Sequence, residues 1–296
     1  MNSERPTIGF VGLGLMGGAM AARLVASGFK VTGFDVDPDK LTRIAAHGVS
    51  PAASLKALCA VSEVVLICVT TTRNVVDIVA GPEGIIGAPG QVKVVVDHST
   101  TIADEARRVA SELHTQCGIG VVDAPVSGGP PAAEAGTLAI MAGGEASHIA
   151  TIEPVMSALA STFTHMGPSG AGQVTKMVNQ ILVLNNYCVL AEALALAEAG
   201  GVDADKIPAA LASGHAGSNM LQSMFPRLVA RDFEPAGYAR QILKDLDMLA
   251  DLARELKVPT PMSAQSATLY RMLIQQGHGE LDGIAILKLF QESQPR

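Results

Sequence analysis

Short apolar runs rich in β-branched residues alternate with helical patterns through the first half of the chain. Strands are predicted in TIGFVG, KVTGFD, EVVLICV, VKVVVD and GVVDAP. Four helical patterns stand between the strands: the first ends at Ser27, the second begins at Pro38, the third follows Thr72, and the fourth ends at about Gln116. This alternation is typical of a parallel, doubly wound sheet covered by helices on both faces. Because VVLICV and VKVVVD lack polar alternation, we expect both strands to be buried on both faces.

The pattern changes after the Gly/Pro-rich segment APVSGGPPAAEAGTLAIMAGG, which is followed by a helix near Glu145 and a short strand around Phe163. From Gly170 a helical pattern runs unbroken to about Ala199, a helix of about 30 residues and roughly 45 Å. Further helices are predicted at 206–212, 220–229, 238–256, 263–276 and 284–290. The sequence therefore predicts an α/β doubly wound domain at 1–167 and an all-α domain at 168–296, joined by the long helix.

Composition and charge exclude several classes of protein. The formal net charge is −7 and no lysine- or arginine-rich cluster occurs, so the footprint of a nucleic-acid binder or of a protein bound to an anionic membrane surface is missing. The longest uninterrupted apolar run, VVLICV, is far short of the roughly 20 residues that a membrane helix needs. No signal-peptide core precedes the first strand. A cytoplasmic protein is expected.

The cysteines and histidines do not form a metal or redox pattern. Cys59, Cys68, Cys117 and Cys188 stand singly in apolar segments, so we expect reduced residues of the core. The 7 histidines are scattered along the chain. No metal site is predicted.

Three glycines form the pattern G-x-G-x-x-G where the first predicted strand meets the first helix: Gly12, Gly14 and Gly17. In a dinucleotide-binding turn the first allows the tight turn, the second admits a pyrophosphate to the backbone, and the third lets helix and strand pack closely. The helix N-terminus then offers unpaired N–H groups to phosphates. The intervening Leu13 and Met16 are also expected at the cofactor. Alone, such a turn could serve close packing only.

A carboxylate strengthens the dinucleotide interpretation. Asp35 ends the second strand about 20 residues after the turn, where a ribose-binding carboxylate belongs. Asp35 could instead cap a helix, but Asp37 followed by Pro38 already fits the N-cap and the first helical position. Asp35 would repel a 2′-phosphate, and neither Val36 nor Asp37 supplies a compensating arginine. The sequence therefore predicts a Rossmann-type domain that prefers NAD to NADP.

Two further stretches contain candidate chemistry. In GAGQVTKMVNQ, Lys176 shares one helix face with Asn179 and Gln180. From the spacing alone, a solvated lysine on a long surface helix is the favoured interpretation. The SGG turn in DAPVSGG offers a hydroxyl and approachable N–H groups, which suit an anion, or it is an ordinary tight turn.

Four motifs in this order, GLGLMG, DAPVSGG, GAGQVTKMVNQ and LKDLDMLA, resemble the β-hydroxyacid dehydrogenase family over essentially the whole chain. That family includes 3-hydroxyisobutyrate dehydrogenases, tartronate semialdehyde reductases and L-threonate dehydrogenases. The resemblance implies an NAD-dependent enzyme that interconverts a short-chain β-hydroxy acid and its semialdehyde or keto acid. It also implies a homodimer or homotetramer, and the apolar run ILVLNNYCVLAEALALAEAG is suited either to a subunit contact or to burial within the chain.

The resemblance also implies roles for individual residues. It assigns proton transfer to Lys176 as general acid/base. The residues it assigns to the substrate are Ser127, Gly128, Gly129, Asn179 and Lys244. Beyond the glycine turn and Asp35, those it assigns to the cofactor are Val69, Thr70, Thr100 and Lys244. Val69 could equally be a buried core residue, and Thr70 and Thr100 could be ordinary hydroxyls at loop ends. The chain departs from common family sequence at Thr70 and Ala103, where many members have proline, and at Gln180, which replaces a second asparagine.

Alternatives remain within and outside the family. The segment at 213–235 resembles the tartronate semialdehyde reductase and threonate dehydrogenase branches more than the 3-hydroxyisobutyrate branch. A 6-phosphogluconate dehydrogenase usually has a longer helical domain and histidine in place of Asn179. Imine reductases share the fold but usually lack a lysine at the Lys176 position. A non-catalytic NAD-binding redox sensor would need neither this lysine nor the SGG turn.

Overall fold

The computed structural model describes residues 5–291 of the chain. By contact density the chain divides into two compact units, Met1–Lys176 and Met177–Arg296. The division falls inside the long helix predicted from Gly170, which is one continuous helix at Ala171–Ala199. The two units are described separately below.

The N-terminal unit is built on a sheet whose first strands are parallel. They are β1 (Ile8–Val11), β2 (Val31–Phe34), β3 (Ser50–Pro51), β4 (Val64–Ile67), β5 (Val94–Asp97) and β6 (Gly120–Asp123). Their spatial order is β3-β2-β1-β4-β5-β6. Every residue of β1, β4, β5 and β6 is buried, as the unbroken apolar runs predict. The strand order reverses at β1, which has β2 on one side and β4 on the other. This is the topological switch point of such sheets.

Helices cover both faces of this sheet. They are α1 (Leu15–Ala26), α2 (Pro38–Ala45), α3 (Leu55–Cys59), α4 (Thr72–Ala80) and α5 (Ala103–Cys117). Side-chain caps fix the starts of several, since Ser54 and Thr71 accept from the N–H groups of α3 and α4. Asp37 caps α2 by accepting from the Asp39 N–H, with Pro38 in the first turn. Asp35 is therefore not the cap of α2.

The far edge of the sheet differs from the prediction. The Gly/Pro-rich segment forms β7 (Val126–Ser127), α6 (Gly129–Ala135) and β8 (Leu138–Gly143), followed by α7 (Ala146–Leu159) and β9 (Ala160–Gly167). Strand β8 runs antiparallel to β6 and β7, and β9 runs parallel to β8. The sheet is therefore continuously parallel from β3 to β6, and its direction reverses at β8. Its doubly wound, predominantly parallel character is confirmed.

The C-terminal unit is helical, and its described residues form no strand longer than one bridge between Tyr238 and Asp282. Its helices are the continuation of α8 (Ala171–Ala199), then α9 (Ile207–Leu211), α10 (Asn219–Ala230), α11 (Ala239–Glu255), α12 (Pro261–Gln275) and α13 (Lys288–Gln291). Phe225 and Tyr270 are the largest side chains buried in its core, where the Tyr270 hydroxyl donates to the Gly283 carbonyl at 2.9 Å. The predicted all-α second half is confirmed.

Helix α8 is long and apolar enough to cross a membrane by length and composition, and 39% of its most apolar window is buried. Core helices of soluble proteins meet the same criterion, and this one carries the buried polar residues Gln173, Lys176 and Gln180. All four cysteines are free, and burial raises the pKa of the Cys59 thiol to about 11. No cluster of metal-ligating side chains occurs among residues 5–291.

Candidate active site

Two glycines of the turn, Gly12 and Gly17, are required by close packing, whereas Gly14 is open. A Cβ on Gly17 would lie 1.9 Å from the Gly12 carbonyl oxygen, and a Cβ on Gly12 would lie 2.3 Å from that of Cys68. Gly12 also has a φ of +90°, which favours glycine. A Cβ on Gly14 would meet nothing within 4 Å. Gly14 is the N-cap of α1 and provides no side-chain cap, so the first N–H groups of α1 are open to an anion.

A cavity of about 900 Å³ opens beside this turn at the carboxyl ends of β1, β2 and β4. The predicted cofactor residues that line it are Gly12, Gly14, Asp35, Val69 and Thr70. Leu13 is buried and Met16 is partly buried against the core of the sheet, and neither is among the residues that line the cavity. The open position at Gly14, the uncapped helix and a carboxylate in one cavity fit a dinucleotide.

Asp35 is buried in this cavity and already has three partners. Its carboxylate accepts from the Leu13 N–H at 2.7 Å and from the Asp37 N–H at 3.0 Å. The Lys40 ammonium lies 3.2 Å from Asp35 Oδ1. The sequence prediction considered Val36 and Asp37 and missed Lys40, because this cation comes from the first turn of α2 rather than from the strand end.

The loop after β5, residues 98–102, contains Thr100, the residue expected beside the nicotinamide ribose; we call it the Thr100 loop. Asp97 holds it from its own strand, accepting from the Ser99 N–H at 2.9 Å and the Thr101 hydroxyl at 2.6 Å. The Ser99 hydroxyl accepts from the Val69 N–H at 3.0 Å. Thr100 is half-buried between two buried neighbours. Val69 and Thr100 therefore belong to adjoining loops at one edge of the sheet.

The carboxylate of Asp123, at the end of β6, accepts hydrogen bonds from the start of α8. It accepts from the Gly170 N–H at 2.7 Å and from the Gln173 N–H at 3.0 Å. A carboxylate at a helix N-terminus satisfies unpaired N–H groups and complements the helix dipole. Burial raises the pKa of Asp123 to about 6, and these two hydrogen bonds oppose that rise. A Cβ on Gly172 would lie 2.5 Å from the Asp123 carbonyl oxygen, so only glycine allows this close approach.

Lys176 is 8% exposed, and its Nζ donates to the Val126 carbonyl at 2.7 Å. The interpretation of Lys176 as a solvated surface lysine is therefore wrong. Val126 precedes the SGG turn, in which Gly128 and Gly129 have φ values of +130° and +72°. These angles favour glycine and present backbone N–H groups beside the Ser127 hydroxyl. The structure thus brings Lys176 and the SGG turn together within the N-terminal unit.

The other two predicted substrate residues, Asn179 and Lys244, lie in the C-terminal unit. Asn179 Nδ2 donates to Gln180 Oε1 at 2.8 Å, and Gln180 Nε2 donates to Asp245 Oδ2. The Lys244 ammonium lies 2.9 Å from Asp245 Oδ1. Gln180 and Asp245 therefore connect the two predicted residues through a chain of polar contacts. Sequence reasoning noted Gln180 on the Lys176 face of the helix but did not include either connecting residue in the site.

Comparisons with known proteins identify the family of the chain. Residues 7–167 match a family model described as the NAD binding domain of 6-phosphogluconate dehydrogenase, and residues 170–290 match one described as NAD-binding of NADP-dependent 3-hydroxyisobutyrate dehydrogenase. An L-threonate dehydrogenase of Cupriavidus necator is 33% identical over 96% of this chain and 95% of its own length. An NAD-dependent L-serine dehydrogenase of Pseudomonas aeruginosa is 32% identical over 97% and 98%.

A solved structure extends the likeness to three dimensions. The Mycobacterium tuberculosis 3-hydroxyisobutyrate dehydrogenase, described with L-serine, is 30% identical, with a TM-score of 0.83 over 97% of this chain and 100% of that one. The fold, the cavity and these matches define an NAD-binding dehydrogenase that acts on hydroxyl groups. The chain belongs to the β-hydroxyacid dehydrogenase family, as the four motifs imply.

Proposed function

We propose that this enzyme interconverts a short-chain β-hydroxy acid and its semialdehyde or keto acid, with Lys176 as the general acid/base. The observation that carries the proposal is the buried Lys176 ammonium, bonded to the Val126 carbonyl at 2.7 Å, directly before Ser127 of the SGG turn. A proton-transfer group and an anion-binding turn thus adjoin each other on the same unit as the dinucleotide cavity. This is the arrangement that oxidation of a hydroxy acid requires.

The roles follow from the chemistry of each group. The Ser127 hydroxyl and the N–H groups of Gly128 and Gly129 bind the substrate carboxylate. As the neutral amine, Lys176 accepts the hydroxyl proton during oxidation; as the ammonium, it donates a proton to the carbonyl oxygen during reduction. NAD, when bound, supplies the hydride acceptor. The family resemblance further assigns substrate roles to Asn179 and Lys244, and a cofactor role to Lys244.

Within the family we favour the tartronate semialdehyde reductase and L-threonate dehydrogenase branches, with 3-hydroxyisobutyrate next. Support comes from the segment at 213–235 and from a relative named for L-threonate. The relative named for L-serine acts on another small hydroxy acid, so the panel of substrates must be broad. Because Asp35 lies in the cavity, NAD is the preferred dinucleotide.

The test is the initial rate of NAD reduction with L-threonate, D-glycerate, 3-hydroxyisobutyrate, L-serine and 3-hydroxypropionate, with NADP in parallel. We expect one acid to be strongly preferred with NAD, and Lys176→Met to lower kcat at least 100-fold, within the range general acid–base catalysis contributes. Lys206→Met is the matched control, because Lys206 is exposed and pairs with Asp203. Full activity of Lys176→Met would refute its role.

The same panel separates the alternatives. Turnover of cyclic imines but of none of the acids would identify an imine-reductase-like enzyme. Tight NADH binding without any turnover would identify a non-catalytic redox sensor. The joint presence of Lys176 and the SGG turn favours the dehydrogenase over both.

We further propose a cytoplasmic homodimer or homotetramer, with NAD and the substrate carboxylate bound by residues 1–167, and with further substrate contacts and assembly provided by residues 168–296. An exposed apolar stripe on α8 supports the assembly, since Leu182, Val189 and Leu196 recur every seven residues. Light scattering should give a multiple of 30.5 kDa for the wild type and a smaller mass for Leu196→Glu. Leu211→Glu, on α9, is the control for an exposed leucine outside the stripe.

A further inference from the structure

Gln173 lies one helical turn before Lys176 on α8, is fully buried, and binds two separate segments of the N-terminal unit. Its side-chain Nε2 donates to the Ser99 carbonyl at 2.9 Å, and its Oε1 accepts from the Thr101 N–H at 2.9 Å. Its backbone N–H donates to Asp123 at 3.0 Å. The residue therefore joins the Thr100 loop, the end of β6 and the start of α8.

The side-chain contacts require an amide in one orientation. The Ser99 carbonyl can only accept a hydrogen bond, and the Thr101 N–H can only donate one. A carboxylate at position 173 would face the Ser99 carbonyl without a proton, and an apolar side chain would make neither bond. Because Ser99 and Thr101 flank Thr100, the Gln173 amide holds the backbone on both sides of Thr100.

The hydrogen bonds from Gln173 restrain the Thr100 loop in a way that those of Asp97 do not. Asp97 already ties the Thr100 loop to its own strand through the Ser99 N–H and the Thr101 hydroxyl. The loop therefore has its local conformation without Gln173. What the Gln173 amide adds is the position of the loop relative to α8, and α8 carries Lys176 three residues further on.

We propose that Gln173 is a positioning residue that fixes Thr100, on the cofactor side, relative to Lys176, on the proton-transfer side. This inference rests on the proposed function. Misplacement of reacting groups by about 1 Å can cost about 100-fold in rate. Loss of the amide therefore weakens dinucleotide binding through the loop and slows turnover through the altered placement of Lys176.

The first test compares Gln173→Met, which keeps the side-chain length but loses both amide bonds, with the wild type. Measured quantities are the Kd for NADH by fluorescence titration, the kcat and KM for the preferred acid, and the Tm of the cofactor-free protein. We expect the Kd to rise at least 5-fold and kcat to fall at least 10-fold. Tyr270→Phe is the matched control, because it removes one buried hydrogen bond to a carbonyl in the C-terminal unit. It should lower the Tm without changing the Kd or kcat.

The second test uses Gln173→Glu across pH 5.5 to 8. A protonated carboxyl reproduces the amide pattern, because its O–H donates to the Ser99 carbonyl while its C=O accepts from Thr101. We expect NADH affinity, taken relative to the wild type at each pH, to approach the wild-type value toward pH 5.5 and to be lost toward pH 8. Asp123 and Asp97 are present in both proteins, so the ratio removes their own titration and reports the carboxyl at position 173 together with its coupling to these two groups. This variant also keeps the inference testable if Gln173→Met does not fold.

Two results would overturn the inference: a Gln173→Met protein with a lower Tm but unchanged Kd and kcat, or a Gln173→Glu protein whose relative affinity is the same at every pH. Failure of the proposed function gives a different result. If no acid is turned over by the wild type, or Lys176→Met is fully active, the assignment of Lys176 is wrong. The NADH Kd still measures the effect of Gln173 on the cofactor site in that case.

Discussion

Lys40 pairs with the carboxylate of Asp35 in the cavity beside the glycine turn: its Nζ lies 3.2 Å from Oδ1 and 3.4 Å from Oδ2 of Asp35. A bare carboxylate repels a 2′-phosphate, whereas a paired one repels it less. The cation therefore reduces the discrimination against NADP that Asp35 alone would provide.

The Lys40→Met variant should make the enzyme more selective for NAD. Without the ammonium, Asp35 keeps its two backbone N–H partners and faces an NADP phosphate with its full charge. We expect the ratio of kcat/KM for NAD to that for NADP to rise about tenfold, which is about 1.4 kcal/mol. Lys30→Met, an exposed lysine before β2, is the control and should leave the ratio unchanged. A fall in the ratio would show that Lys40 supports NAD itself.

Alanine substitutions at Gly14 and Gly17 should have opposite consequences. At Gly17 the new Cβ meets the Gly12 carbonyl oxygen at 1.9 Å, so the helix must move; such overpacking costs about 1–3 kcal/mol. At Gly14 the new Cβ meets no protein atom and φ is −69°, so the fold should tolerate it. It would occupy the space where a pyrophosphate approaches the backbone.

Thermal unfolding and NADH titration distinguish the two variants. Gly17→Ala should lose several degrees of Tm, whereas Gly14→Ala should retain its Tm and raise the Kd for NADH at least tenfold. Wild-type affinity in Gly14→Ala would mean that the dinucleotide does not approach this turn.

Local patterns predicted the parallel half of the sheet and the helical second half, because strand and helix periodicity are properties of neighbouring residues. The glycine turn and Asp35 were identifiable for the same reason, since their spacing reflects one strand–turn–helix unit. The antiparallel β8 was missed, because it lies in a glycine- and proline-rich segment and pairs with β6 and β7, which both precede it in sequence, only after the chain reverses direction.

Contacts between distant parts of the chain were not predictable. Gln173 reaches Thr101 across 72 positions, and Asp123 reaches Gln173 across 50. Neither spacing leaves a signal in one sequence. The burial of Lys176 has the same origin: its helical position is compatible with a solvated face, whereas its ammonium donates to the Val126 carbonyl of a remote strand.

His98 should make the protein less stable in acid. Its ring is buried, with Nδ1 2.7 Å from the Ala124 carbonyl, and burial lowers the pKa of the imidazole from 6.5 to about 4. The unfolded chain therefore binds more protons than the folded one between pH 4 and 6.5. The contribution of the neutral His98 ring to the free energy of unfolding is therefore complete above pH 6.5. It falls by up to about 3 kcal/mol as the pH falls toward 4.

The measurement is the free energy of unfolding as a function of pH for the wild type and His98→Gln, whose amide can still donate to Ala124 but does not titrate. We expect the difference between the two curves to change between pH 6.5 and 4 and to be constant above. Asp123, whose raised pKa gives the opposite slope between pH 4 and 6, is common to both proteins and cancels. Parallel curves would contradict the burial of a neutral His98.

Asp245 should control how the C-terminal unit presents Asn179 and Lys244. A carboxylate only accepts hydrogen bonds, so Gln180 must direct its NH₂ group at Asp245 and its Oε1 at the Asn179 amide. Asp245→Leu leaves the buried Gln180 amide without its acceptor, at a cost of about 1–3 kcal/mol in the free energy of unfolding. It also frees both Asn179 and Lys244 to reorient.

Asp245→Asn distinguishes orientation from charge, because it keeps an acceptor for Gln180 but removes the ion pair with Lys244. If the hydrogen-bonded chain orients Asn179 toward the substrate, Asp245→Leu should raise the KM for the hydroxy acid at least tenfold while Asp245→Asn raises it only a few-fold. Equal increases would assign the effect to the charge on Lys244 instead. If KM is unchanged in both variants and only Asp245→Leu loses stability, the hydrogen bonds that link Asn179, Gln180 and Asp245 have a purely structural role.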